Sequence, residues 1–73
     1  MKRGESDEMV VKPLLVALQD SAADVRRNAA DELGEMRAKS PAAVTALTQA
    51  LEDSSKNVRS AAQKAIRRIE AAK

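Results

Sequence analysis

Seventy-three residues allow one small domain, and without cysteine or histidine it lacks disulfides, thiolate sites and the usual zinc ligand and near-neutral base. It also has no aromatic residue, so no ring is available for stacking a base, a sugar or a flavin, and the core must be built from Leu, Val, Ile, Met and Ala. The net charge of +2 is unevenly placed, with −3 over residues 1–36 (five basic, eight acidic) and +5 over 37–73 (eight basic, three acidic).

Residues 1–8, MKRGESDE, are polar and hold Gly4, which predicts a flexible tail. The tail has no apolar run of signal-peptide type, and no segment approaches the ~20 apolar residues of a membrane span. A cytoplasmic protein is the expectation.

The first helix is expected over about 9–19, where Val11, Leu14, Leu15 and Leu18 follow the spacing of one helical face. Pro13 sets the start near Val11 or Lys12, or else kinks a turn over 8–12, because proline is comfortable only in a helix's first turn. Asp20 and Ser21 open a short turn, with Ser21 as the expected cap of a second helix over about 23–37 that turns Val25, Ala29, Leu33 and Met36 inward. Ser40-Pro41 is a start signal, an N-cap serine before a proline at the first helical position. A third helix then covers about 41–52, and Ser55 caps a fourth over about 56–71 with Val58, Ala61, Ala62, Ala65, Ile66 and Ile69 inward. No period-two run predicts a strand.

The four helices are two copies of one unit. At an offset of 33 residues, nine pairs between 11–29 and 44–62 are identical: Val11/Val44, Leu14/Leu47, Ala17/Ala50, Leu18/Leu51, Asp20/Asp53, Ser21/Ser54, Val25/Val58, Arg26/Arg59 and Ala29/Ala62. A period of this size marks a solenoid, whose units bury their apolar faces by stacking. The fold class is therefore all-α: two stacked αα-hairpins, repeat 1 over about 9–39 and repeat 2 over about 40–73, forming a minimal α-solenoid.

The pattern D-x-x-x-x-V-R-x-x-A occurs as Asp20…Val25-Arg26…Ala29 and again as Asp53…Val58-Arg59…Ala62, and the first copy continues AADELGEM. This resembles the HEAT-like repeat of the bilin lyase (PBS lyase) type over about residues 9–71. The resemblance implies a helical scaffold, and it implies that the Asp–Arg pairs brace adjacent repeats. The second copy departs from the first at Gln63 (for Ala30) and Arg67 (for Gly34), which makes the last helix more polar.

Asp20/Arg26 and Asp53/Arg59 are read as structural pairs, since each arginine follows its aspartate by six residues across a turn. Lys56, Ser60, Lys64 and Arg67 share one face of the fourth helix, joined by Arg68 as a possible anion contact. Asp31 and Glu35 are the repeat-1 counterparts of Lys64 and Arg68, so opposite charges should also meet across the repeat boundary. The carboxylates Asp31/Glu32 and Glu52/Asp53 are adjacent in sequence and diverge on a helix, and no base partners Ser54 or Ser55, so no enzyme is expected and no cofactor or metal.

The first helix carries a second apolar stripe. Met9, Val10, Leu15 and Val16 stand where repeat 2 has Ala42, Ala43, Thr48 and Gln49. Met9 and Val16 lie on the side away from Val11, Leu14 and Leu18. This points to self-association through Met9, Val10, Leu15 and Val16, with a two-fold dimer expected because Gln63 and Arg67 blunt stacking at the other end. The functional expectation is a non-enzymatic protein-interaction or scaffold module, natural or engineered. The alternatives are a weak nucleic-acid or anion binder using the fourth helix, and an accessory subunit of a bilin lyase-like enzyme.

Overall fold

The computed structural model describes residues 3–71, with side chains from Met9 onward. Four helices follow in order: α1 Arg3–Ala17, α2 Ala23–Met36, α3 Pro41–Ala50 and α4 Lys56–Ala71. No strand occurs among the described residues. The body measures 39 × 24 × 16 Å.

The start of α1 corrects the expectation drawn from Pro13. The helix begins at Arg3 and runs through Pro13 to Ala17, so residues 3–8 are helical and residues 1–2 of the expected tail lie outside the described residues. The missing N–H of Pro13 leaves one carbonyl without its intrahelical partner. That loss is local, whereas propagation adds a backbone hydrogen bond for each residue fixed, and no glycine or proline interrupts residues 5–12. The helix closes by tightening, with Gln19 N–H donating to the Val16 carbonyl (2.9 Å) and Asp20 N–H to that of Ala17 (3.1 Å).

The entry to α2 is also different. Its N-cap is Ala22, which offers no side-chain acceptor, and Ser21 does not cap it. Asp20 organises the turn instead, its Oδ1 accepting from Ala22 N–H at 2.8 Å. α2 ends at Arg37, which has a left-handed backbone (φ 52°, ψ 49°). Arg37 N–H donates to the Gly34 carbonyl (3.0 Å) and Ala38 N–H to that of Leu33 (3.1 Å), which is the Schellman arrangement with Ala38 packed as its apolar plug. Ser40 caps α3 as expected, with Oγ accepting from Ala43 N–H at 3.2 Å and Pro41 at the first position. Ser55 Oγ accepts from Val58 N–H at the start of α4, at 3.4 Å.

α2 lies along α4 over most of its length, and α1 lies beside α3. Leu33 and Leu47 are fully buried in one core cluster with Ala29, Ala30, Ala43, Ala61, Ala62 and Ala65, and Val58 is fully buried as well. Among the described residues, no polar or charged side chain is buried. The alanines let α2 and α4 approach closely, and Gly34 sets the limit: a Cβ there would stand 2.7 Å from Ala65 Cα. No packed structure tolerates such a contact without moving backbone.

Candidate functional site

The short turns before α2 and α4 lie on one edge of the stack and carry its polar chemistry. Arg26, in the first turn of α2, reaches across to the second turn. Its Nε donates to Asp53 Oδ2 (2.9 Å) and its Nη2 to Asp53 Oδ1 (3.0 Å), a two-bond fork on one carboxylate. Its Nη1 turns back to the carbonyls of Asp20 (2.8 Å) and Ser21 (3.0 Å). The guanidinium thus ties its own turn to that of the next repeat. The two side chains are only 15% and 14% exposed, so water competes little for the fork.

The electrostatics follow from this geometry. Asp53 is held below the usual carboxylate range, first by the Arg26 hydrogen bonds and then by Ser55 N–H, which donates to Oδ1 at 2.8 Å. Arg26 is raised, chiefly by the same bond to Asp53. Asp20, the expected partner of Arg26, supplies its carbonyl and not its carboxylate. Stacking brings in the aspartate of the following unit, 27 residues away.

Arg59 repeats only half of this arrangement. Its Nη1 donates to the carbonyls of Asp53 (2.7 Å) and Ser54 (3.3 Å), as Arg26 does to those of Asp20 and Ser21. Among the described residues, the one ion pair is Arg26–Asp53, and no carboxylate sits on Arg59. Sequence spacing does not separate these two roles, because both arginines follow an aspartate by six residues.

Four of the five cations of α4 divide between two clefts. Lys64 and Arg68 line one with Asp31 and Glu35 of α2, the opposite charges expected across the boundary, although none of them closes to an ion pair. Lys56 and Ser60 line another with Arg59, Gln63 and Leu51, on the side of repeat 2 that faces away from repeat 1. Arg67 is exposed and belongs to neither lining. Among the described residues, no three carboxylates gather to hold a metal ion.

The residues of the first-helix stripe also fall into different settings. Met9 and Val16 are 75% and 73% exposed, Val10 is 45% exposed, and Leu15 is half-buried against the core. The second repeat shows what these positions do in a stack. Ala43, the counterpart of Val10, is buried beneath repeat 1, whereas Ala42 and Gln49, the counterparts of Met9 and Val16, stay exposed. Met9 and Val16 therefore lie off the stacking face.

Two antiparallel helix pairs stacked by a one-repeat offset, with an arginine of one turn gripping the aspartate of the next, define a helical repeat solenoid. The family model for HEAT repeats matches residues 6–73, and the chain belongs to that family. HEAT repeats generally mediate protein–protein interaction. Comparison with curated proteins and with solved structures returns no match. Among the described residues, no helix is long and apolar enough to cross a membrane.

Proposed function

We propose that this chain is a non-enzymatic scaffold module, cytoplasmic in setting, that self-associates through the outer side of α1 as a two-fold dimer. The observation that carries the reading is the exposure of Met9 and Val16, 75% and 73%, at positions that a neighbouring repeat does not cover. The two are seven residues apart and so stand two turns apart on one stripe. Burying each against a partner contributes roughly 1.5–3 kcal/mol before the losses of association. Val10 lies beside them at the edge of the stacking face. The duplicated D-x-x-x-x-V-R-x-x-A pattern supports placing the repeats within the bilin-lyase-type subtype. The division of the α4 cations between two clefts speaks against a single phosphate-tracking face.

Sedimentation velocity over a range of concentrations tests the proposal. The wild-type chain is expected to dimerise and Val16→Glu to remain monomeric with its helices intact. A wild-type chain that stays monomeric at millimolar concentration would overturn it, as would a Val16→Glu chain that dimerises equally well.

A further inference from the structure

The two arginines are copies of one device, and the first copy shows what the device binds. Arg26 has Nη1 anchored on two turn carbonyls, which presents Nε and Nη2 to a carboxylate. Arg59 has the same anchor on the carbonyls of Asp53 and Ser54. The fork of Arg59 is thereby oriented before any ligand arrives, and it opens on a cleft of about 400 Å³ lined by Leu51, Lys56, Ser60 and Gln63.

A further repeat packed flush is a poor fit for this place. In repeat 1 the close approach is made by Ala30 and Gly34, and even one added carbon at Gly34 meets backbone at 2.7 Å. In α4 these positions hold Gln63 and Arg67, both exposed. A helix cannot lie as close to α4 as α4 lies to α2, but a slimmer segment can reach Arg59 past them. The charge of the cleft selects the sign of that segment, because Lys56 joins Arg59 in its lining and no acidic side chain does. We propose that Arg59 is a preformed receptor for a side-chain carboxylate, taken from a short acidic segment of a partner protein lying in the Leu51–Lys56–Gln63 cleft. This rests on the reading of the chain as a protein-interaction module but uses a different surface from the α1 contact. Its outcome therefore reads separately from the oligomeric state.

The probe is an N-acetylated, C-amidated peptide LEDSSK, which copies the turn that Arg26 grips, beside LENSSK, in which the Asp carboxylate alone is removed and the Glu is kept. Nitrogen-edited NMR of the full chain should show LEDSSK shifting the Arg59 Nε–H signal and the amides of Leu51, Ser60 and Gln63, with a Kd of ~1 mM and LENSSK at least ~5-fold weaker. Arg59→Lys keeps the charge but loses the fork, so the preference for Asp over Asn should vanish. Lys56→Gln removes a charge and leaves the Arg59 fork, so both peptides should weaken while the preference for Asp survives, and its loss in that variant would overturn the proposal even where Arg59→Lys does not fold. Equal shifts from the two peptides, or a preference that survives in a folded Arg59→Lys chain, would overturn the proposal. So would Arg59 shifts that grow with chain concentration in the absence of peptide and disappear in Asp20→Asn, because the occupant would then be a second copy.

Discussion

Repeats 1 and 2 share their apolar frame and differ where each meets its surroundings. Val58 is fully buried and its counterpart Val25 is 38% exposed, while Val11 is 7% exposed and its counterpart Val44 is 37%. Each repeat therefore has a side that faces the other and a side that does not, and identical residues take different roles according to that side. The substitutions follow the same division. Small residues, Ala30 and Gly34, stand in α2 where it meets α4, and the long polar Gln63 and Arg67 stand at the same places in α4 where it faces away. What distinguishes the repeats is thus the chemistry of the outward faces, laid over one scaffold.

The sharpest way to break the comparison is to exchange its extremes. Gly34→Leu should unfold the domain or lower its stability by more than ~3 kcal/mol, since the side chain must enter a space closed by Ala65 backbone and Cβ at 2.7 and 2.9 Å. Even Gly34→Ala should be destabilising by ~1–2 kcal/mol, although alanine is the better helix former by ~1 kcal/mol. Arg67→Gly, the reverse exchange, loses only the propensity of an exposed position, ~1 kcal/mol or less. Urea unfolding of the three variants gives the ranking, and a Gly34→Ala chain more stable than the wild type would show that the helices part easily.

A second pair sharpens the same point in the core. Leu33 is fully buried and its counterpart Ile66 is only partly so. Truncation to alanine should be worth ~3 kcal/mol at Leu33 and about half of that at Ile66. Equal losses in chemical denaturation would mean that the outward face of α4 is covered in solution.

The turn arginines come next. Arg26→Leu removes the fork between repeats and strands the Asp53 carboxylate, so the melting temperature should fall by roughly 5–10 °C. Arg59→Leu loses only hydrogen bonds to turn carbonyls and should show a smaller fall. The acid limb gives an independent check. Asp53 titrates below its unfolded value of about 3.9, so the unfolded state binds the proton first and stability rises with pH in this range. The contribution is complete above the unfolded value and is lost as pH falls through the lower folded-state value. Asp53→Asn should flatten that part of the melting profile, whereas an unchanged slope would remove Asp53 from the account.

Much of this was legible in the chain. The 33-residue offset carries the four helices, and the Ser40-Pro41 cap places the start of α3 to the residue. The extent of α1 was not legible, because a local rule about Pro13 competes with cooperative helix extension, and the cooperative term wins. The carboxylate that Arg26 grips escapes the sequence for a different reason. Six-residue spacing names Asp20, but stacking adds one 33-residue period and puts Asp53 nearer. Combining the two spacings, one repeat forward and six residues back, would have found it. The unequal clefts on α4 depend on which side each repeat turns outward, and a helical wheel of α4 alone does not contain that information.

The smallest expected effect tests the junction that joins the repeats. Arg37 links α2 to α3 with a positive φ of 52°, the one such non-glycine residue among those described. Its repeat-2 counterpart, Glu70, remains inside α4, so this left-handed turn belongs to the connection rather than to the repeat itself. A side chain in that region crowds its own carbonyl, at ~1–2 kcal/mol, while glycine avoids the crowding but is freer in the unfolded chain by ~0.5–1 kcal/mol. The difference favours Arg37→Gly by up to ~1 kcal/mol, or a few degrees in melting temperature. The two Schellman hydrogen bonds use backbone N–H groups only and survive the change. Arg37→Ala keeps the crowding and removes only the guanidinium, so it should leave stability within ~0.5 kcal/mol of wild type. A gain in both variants would trace the effect to the Arg37 charge, and a gain in Arg37→Gly alone traces it to the backbone.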